Sequence, residues 1–459
     1  MSRHQKPCPH EALQLEPSAY AKEVGYNWPS SDRRLAATTK SGRNLLAVKG
    51  RKAADVEILG EDVAGKLSGA FPGPLVLPND ELALDPKDPP QSFRSWLNEG
   101  LRKNRKLNRR RKTIYVAVAP EITSSVSYMK AWLQPTVRKG GKVVASKTLD
   151  SPPSDDIIEY TGAFYHGLPV KAFPHRLKFV PWEESNNSCK PDSGTSYVGL
   201  LAGMNCTRIR ARSSPDGVFK CQLNLNDLLD TAIEMLPGDA YSIILLVDHD
   251  MYEDEEDVFC CGRAYGADGV AVVSTARYHP ALDGHAKIDF MHMWPTSHCK
   301  SYIDHLCAAE GLGQDETVRI QTESTHEPLR AAMAAAGGLE NSASADPRGL
   351  WFSRIARTVV HELGHCLGFA HCVYYACVMQ STSCMAEDVR QPPYLCPVCL
   401  SKVSHAIACE LEGRDEAGKD EYVKERYRSI ANFCDSWKQV SLFAGYGAWI
   451  HARLEQLDQ

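Results

Sequence analysis

No apolar run in this 459-residue chain is long enough to cross a bilayer. The longest, Tyr241–Val247, falls far short of the ~20 residues a helical span needs. The opening stretch, MSRHQKPCPHEALQLEP, has no apolar segment of the secretory kind, so the chain is expected in the cytoplasm or nucleus, with no membrane partner. The net charge is only -5, too small by itself to point to nucleic acid or an anionic surface. Histidine is scarce, at 16 residues. Cysteine is not: there are also 16, thirteen of them beyond residue 220 and six between Cys366 and Cys399. In a reducing compartment such clustering reads as metal ligation rather than a disulfide framework.

The organisation along the chain is mixed. Residues 1–70 show no sustained period and read as a partly ordered N-terminal extension. Phe71–Ser92 is proline-rich and is expected to run extended along a surface. Residues 102–112, RKNRKLNRRRK, carry eight basic residues in eleven. They read as a solvated, self-repelling loop, with a nuclear-import or nucleic-acid contact as the alternative.

Strand patterns occur at Thr113–Pro120, Ser196–Gly203, Tyr241–Asp248 and Gly269–Tyr278, and a helical one at Leu225–Leu236. Tyr241–Asp248 is nearly continuous in apolar residues, the pattern of a strand covered on both faces. From Glu421 onward the spacing is helical, with Tyr427, Ile430, Phe433 and Trp437 among the core positions. Helices and strands alternate, which predicts an α/β or α+β fold. Residues 280–345 look like an insertion. Its His292, His298, Cys299, His305 and Cys307 read as surface residues, a further metal being the alternative. Asp248, His249 and Asp250, followed by Glu253–Asp257, read as a solvated acidic loop or an attraction for a substrate's free amino end.

One segment concentrates the histidines. ADPRGLWFSRIARTVVHELGHCLGF predicts a single helix with Asp346 as N-cap and Pro347 at the first position. At about 100° per residue, Trp351, Phe352, Ile355, Ala356, Val359, Val360, Leu363 and Leu367 occupy one half of the wheel. His361 and His365 occupy the other, one turn apart, which is the spacing two ligands of one zinc ion require. Gly368 suits a left-handed helix end, after which His371 can return as a third ligand. Three protein ligands leave the fourth zinc position to water, the open catalytic type. Glu362, expected at the rim, is then the general base and acid of metal-assisted peptide hydrolysis.

A second metal follows directly. Cys372-x4-Cys377 and Cys396-x2-Cys399 are two thiol pairs, the composition of a closed structural zinc site that would fix His371. Cys366 is read as packing and Cys384 as a weaker alternative ligand.

HELGHCLGFAHCVYYACVM followed by CPVC resembles the archaemetzincin family of zinc metallopeptidases. The resemblance runs with gaps from about Phe71, giving a domain over 71–459 with insertions near 121–195 and 280–345. It implies a metzincin-like zincin domain: a twisted mixed sheet above the cleft, the active-site helix beneath, and C-terminal helices. It implies two zinc ions, Met379 packed beneath the catalytic one, and an edge strand within Val258–Tyr278 along which a peptide or protein substrate lies. The implied activity is that of a metallopeptidase, aminopeptidase-like in one version. Two rival readings stand beside it: a nuclear DNA-associated metalloprotease using the 102–112 run, and a non-catalytic zinc-stabilised binding module.

Overall fold

Ala240–Val247 is buried at all eight positions, and the rest of the fold is arranged around it. In the computed structural model the described residues are 8, 10–43, 69–139, 142–144, 149–182, 196–312, 320–321, 327–337, 339 and 346–459. The strands used below are β1 (Thr113–Ala117), β2 (Glu121–Ile122), β3 (Val170–Ala172), β4 (Leu177–Pro181), β5 (Ser196–Ala202), β6 (Asn205–Ser213), β7 (Cys221–Asn224), β8 (Ala240–Val247), β9 (Asp250–Tyr252), β10 (Gly262–Tyr265) and β11 (Val270–Ser274). The helices are α1 (Ser154–Phe164), α2 (Leu225–Glu234), α3 (Pro347–Cys366), α4 (Pro397–Ser404), α5 (Glu416–Ser436) and α6 (Ser441–Asp458).

Five strands form a mixed sheet in the order β10-β11-β8-β1-β3. All its pairings are parallel except β10 on β11. The period of two explains why β8 is apolar at every position but Ser242. Ile244 and Leu246, with Val116, Ala271 and Val273, face α3 and the C-terminal helices in one core. Ile243, Leu245 and Val247, with Val270 and Val272, face α2 and the second sheet in another. Each such side chain contributes roughly 1.5–3 kcal/mol when fully buried, so the sheet is anchored from both sides. The expected mixed α/β class is the one observed.

The second sheet has six strands in the order β9-β7-β6-β5-β4-β2. Its strands β2 and β4 lie within 121–195, so part of the expected insertion builds a layer of the core. Phe71–Leu77 is extended, as its prolines require, but it is buried rather than superficial. The N-terminal segment 10–43 also packs: Tyr26 Oη donates to the Val373 carbonyl at 2.6 Å and Trp28 Nε1 to the Tyr374 carbonyl at 2.7 Å.

Three surface readings need correction in part, because several of these polar side chains are buried in the interior. Asp250 is fully buried and paired with Arg277, which also reaches Asp216 at 2.6 Å. Asp248 accepts from Thr275 at 2.8 Å, and His249 is sealed between Trp132 and Phe179. In the basic run, Arg102 is buried over Trp96 and paired with Glu410, while Arg105 donates to the Tyr241 carbonyl. Its longest exposed stretch is Asn108–Arg111, and Lys103, Asn104 and Lys106 are exposed as well. In the 280–345 segment, His292 and His298 are buried, whereas His305 is exposed.

Candidate metal centre and cleft

Helix α3 forms as the sequence predicts. Asp346 caps it by accepting from the Gly349 N–H at 2.8 Å, and Pro347 occupies its first turn. All eight predicted apolar positions are buried, packed between the mixed sheet and α5 and α6. Tyr165 Oη donates to the Val360 carbonyl at 2.6 Å and Trp351 Nε1 to the Thr275 carbonyl at 2.8 Å, which fixes the helix against rotation.

The helix ends in a Schellman arrangement. Gly368 has φ +81°, its N–H bonds the His365 carbonyl at 2.9 Å, and the Phe369 N–H bonds the Gly364 carbonyl at 3.0 Å. Trp96 Nε1 meets the Leu367 carbonyl at 3.0 Å, and Gln91 Nε2 the Gly368 carbonyl at 3.0 Å. Gln91 Oε1 in turn accepts from the Ala370 N–H at 3.0 Å and from buried Lys402 at 2.6 Å. The turned chain brings His371 back beside the helix.

His361, His365 and His371 each offer one nitrogen, and the three atoms lie within 4.8 Å of one another. His361 Nδ1 is 2.7 Å from the Val378 carbonyl and His365 Nδ1 is 2.6 Å from the Phe369 carbonyl. A carbonyl only accepts, so both Nδ1 atoms carry the proton and both Nε2 atoms present a lone pair. Those two Nε2 atoms are 3.1 Å apart. Burial and the neighbouring imidazoles hold His361 well below the ordinary range and His365 down to about 3; burial and Arg263 lower His371. All three are neutral near pH 7, the form that ligates. Convergent neutral nitrogens with oriented tautomers fit a zinc ion.

Glu362 departs from its expected rim position: it is buried, at 6% exposure. Burial pushes its carboxyl up to about 8, against the opposing charge of Arg263. It shares with His361 and His371 a cleft of about 490 Å³. One wall of the cleft is Glu256–Gly262, leading into edge strand β10; the opposite wall is Gln380–Met385. The edge expected somewhere in Val258–Tyr278 is therefore β10 itself, and β11 lies inside the sheet. Gly262 admits the glutamate: a Cβ there would stand 3.2 Å from Glu362 Oε1.

Met379 is fully buried under α3. A Cβ on Gly364 would lie 2.4 Å from its Sδ, so the glycine inside His-Glu-Leu-Gly-His is what lets the methionine close up beneath the histidines. Cys372, Cys377, Cys396 and Cys399 come together, all buried, with sulfurs within 4.8 Å of one another. The Cys377 sulfur accepts from the Cys396 N–H at 3.2 Å and the Met379 N–H at 3.5 Å, as a thiolate ligand does. Hydrogen bonds from the other three cysteines hold Cys372 well below the usual thiol range. Four convergent buried thiols with amide donors fit a closed zinc site. Cys366 is core packing, and Cys384 is exposed on the cleft wall, outside this cluster.

Sequence reasoning missed Gln91, Trp96, Tyr26 and Trp28. Their partners are 271 to 347 residues away along the chain for Trp96 and Tyr26, and no local motif signals such pairings.

Comparison with known proteins agrees with the motif. Residues 339–405 match the family model described as Peptidase family M54. Archaemetzincin-2 of Homo sapiens is 23% identical over 369 residues, covering 79% of this chain and 74% of that protein. Archaemetzincin-2 of Mus musculus is 35% identical over 82 residues, 18% of this chain and 20% of the relative. Archaemetzincin-1 of Rattus norvegicus is 26% identical over 265 residues, 57% of this chain and 40% of the relative. Among solved structures, archaemetzincin from Methanopyrus kandleri aligns with TM-score 0.31 and 16% identity over 65% of this chain and 97% of that one.

Proposed function

The chain belongs to the archaemetzincin family of zinc metallopeptidases, and from that premise we propose that it hydrolyses peptide bonds with Glu362 as general base and acid. The observation that carries the reading is the convergence of His361, His365 and His371 beside a cleft lined by His361, His371 and the buried Glu362 carboxyl. His361, His365 and His371 would hold a catalytic zinc, and Cys372, Cys377, Cys396 and Cys399 a structural one. Zinc, when bound, supplies Lewis acidity that polarises a carbonyl and acidifies a water molecule.

The remaining work belongs to the protein. Glu362 takes a proton from the attacking water at a carboxylate oxygen as the O–C bond forms. It returns that proton to the leaving nitrogen as the C–N bond breaks. Strand β10 is antiparallel to β11 and, among the described residues, has no partner strand on its other side, so an extended peptide can lie along it. Val378 and Phe369 keep the imidazoles oriented through their carbonyls.

The acidic turn Glu253–Asp257 contributes Glu256 and Asp257 to the cleft. Carboxylates there favour a substrate with a free amino end, which supports aminopeptidase-like action. Among the described residues no helix is long and apolar enough to cross a membrane.

Glu362→Gln is the decisive variant. It should keep the zinc content of wild type and the thermal transition while lowering kcat on a peptide library by about 10²–10⁴-fold. Undiminished turnover would refute the mechanism. For the finer point, a peptide and its N-acetylated twin are compared. A preference of tenfold or more in kcat/KM for the free amine is expected, and equal values would make the enzyme an endopeptidase.

A further inference from the structure

Outside the cleft lining, four ligand-type side chains meet from two distant parts of the sequence. Cys8 and His10 come from the N-terminal segment, His292 and Cys299 from the 280–345 region. One atom from each lies within 4.8 Å of the other three. We propose that Cys8, His10, His292 and Cys299 form a third metal site, taking a zinc ion as a structural clasp between the chain's N-terminal segment and its body.

The geometry has the scale of a tetrahedral site. Bonds of 2.0–2.3 Å put neighbouring ligands roughly 3.3–3.8 Å apart. Cys8 Sγ and Cys299 Sγ are 3.4 Å apart, close to the 3.5 Å between Cys372 and Cys396 in the four-cysteine cluster. Two thiols and two imidazoles are a zinc donor set, not one for calcium or magnesium.

The surroundings are those of a ligand shell. His292 Nδ1 is 2.7 Å from Asp289 Oδ2, which assigns its proton and leaves Nε2 for a metal. That Nε2 is buried, and the groups within its reach are the thiols of Cys8 and Cys299. The ring is stacked on Tyr302 at 4.1 Å, with planes 8° apart, so its direction is set before any metal arrives. Ser301 Oγ lies 3.3 Å from both sulfurs, placed to donate to a thiolate.

Backbone contacts hold the two halves in register. The Lys300 N–H bonds the Ala12 carbonyl at 2.9 Å, Leu13 bridges to Cys299, and Arg330 donates to the His10 carbonyl at 2.9 Å. Closing a loop of nearly three hundred residues by a metal limits the unfolded chain strongly. It also secures the segment whose Tyr26 and Trp28 brace the loop after His371.

The test counts zinc per full-length chain by mass spectrometry of the purified protein. Three ions are expected for wild type and two for Cys8→Ser/His10→Ala. Because that variant can lose the clasp by local unfolding, a second measurement uses wild type only. Cys8 should be protected from N-ethylmaleimide when zinc is bound and become reactive after chelation, read on its own peptide. The double variant His361→Ala/His365→Ala should lose one zinc and leave Cys8 protection unchanged, so failure of the clasp and failure of the catalytic reading separate. A wild-type count of two with Cys8 unprotected overturns the site. So does a Cys8–Cys299 disulfide, seen as protection that survives chelation and disappears with reductant.

Discussion

Gly364 illustrates how closely this site is packed. A methyl group there gains about 1 kcal/mol in helix propensity over glycine. The same methyl would overlap the sulfur of Met379, which is fully buried, and overpacking of this kind costs about 1–3 kcal/mol. Gly364→Ala is therefore expected to destabilise by about 1 kcal/mol net in urea unfolding. The loss should vanish in a Met379→Ala background, where the added methyl has room. A loss that persists there would mean the glycine serves another purpose. Glu362 is a related case: its burial, which raises its proton affinity, follows from Gly262 letting the edge strand approach α3.

The loop from Cys372 to Cys399 has little regular structure, and its order depends on side chains. Val378 bonds the Tyr394 carbonyl through its N–H and orients His361 through its own carbonyl, while the Cys372 N–H bonds Met379. The cysteine cluster thus fixes both His371 and the hydrogen-bond partner of His361. Cys396→Ser should lose one zinc per chain relative to wild type. It should also weaken zinc at the histidines by on the order of 10–100-fold, the usual penalty for losing an orienting partner. Competition with a graded series of chelators measures this. Unchanged affinity at the histidines would show that α3 and Gly368 position His371 unaided.

The architecture wraps the histidine-bearing segment in distant parts of the chain. Phe71, Trp96, α5 and α6 all converge on the core that includes α3. The N-terminal segment adds Tyr26, whose hydroxyl is buried against the Val373 carbonyl. Tyr26→Phe leaves that carbonyl without its donor and should cost about 1–3 kcal/mol. It should also increase hydrogen exchange in 372–378 more than in β8; uniform exchange would mean the segment is merely apposed. The basic run does not form a free arm, since Arg102 and Arg105 face inward, so the DNA-directed reading rests on the exposed Lys103, Lys106, Arg109, Arg110 and Arg111.

The extent of α3, its cap, its buried stripe, the three histidines and the two cysteine pairs were legible directly, because each follows from spacing along a helix or between neighbouring residues. The two-sided burial of β8 was legible for the same reason: a local period reports a local environment. Which strand lies at the edge was not read from the sequence, although Gly262–Tyr265 is less apolar than Val270–Ser274; pairing places β10 there. Nor were Gln91, Trp96, Tyr26 and Trp28, which act on carbonyls far away in sequence. Charged residues misled most, because Asp250, Arg102 and His292 look solvated until their partners are seen. A side chain's chemistry is written in the sequence, but the burial and pairing that decide its use come from contacts hundreds of residues apart. Cys8 and Cys299, 291 positions apart and 3.4 Å from each other, are the extreme case.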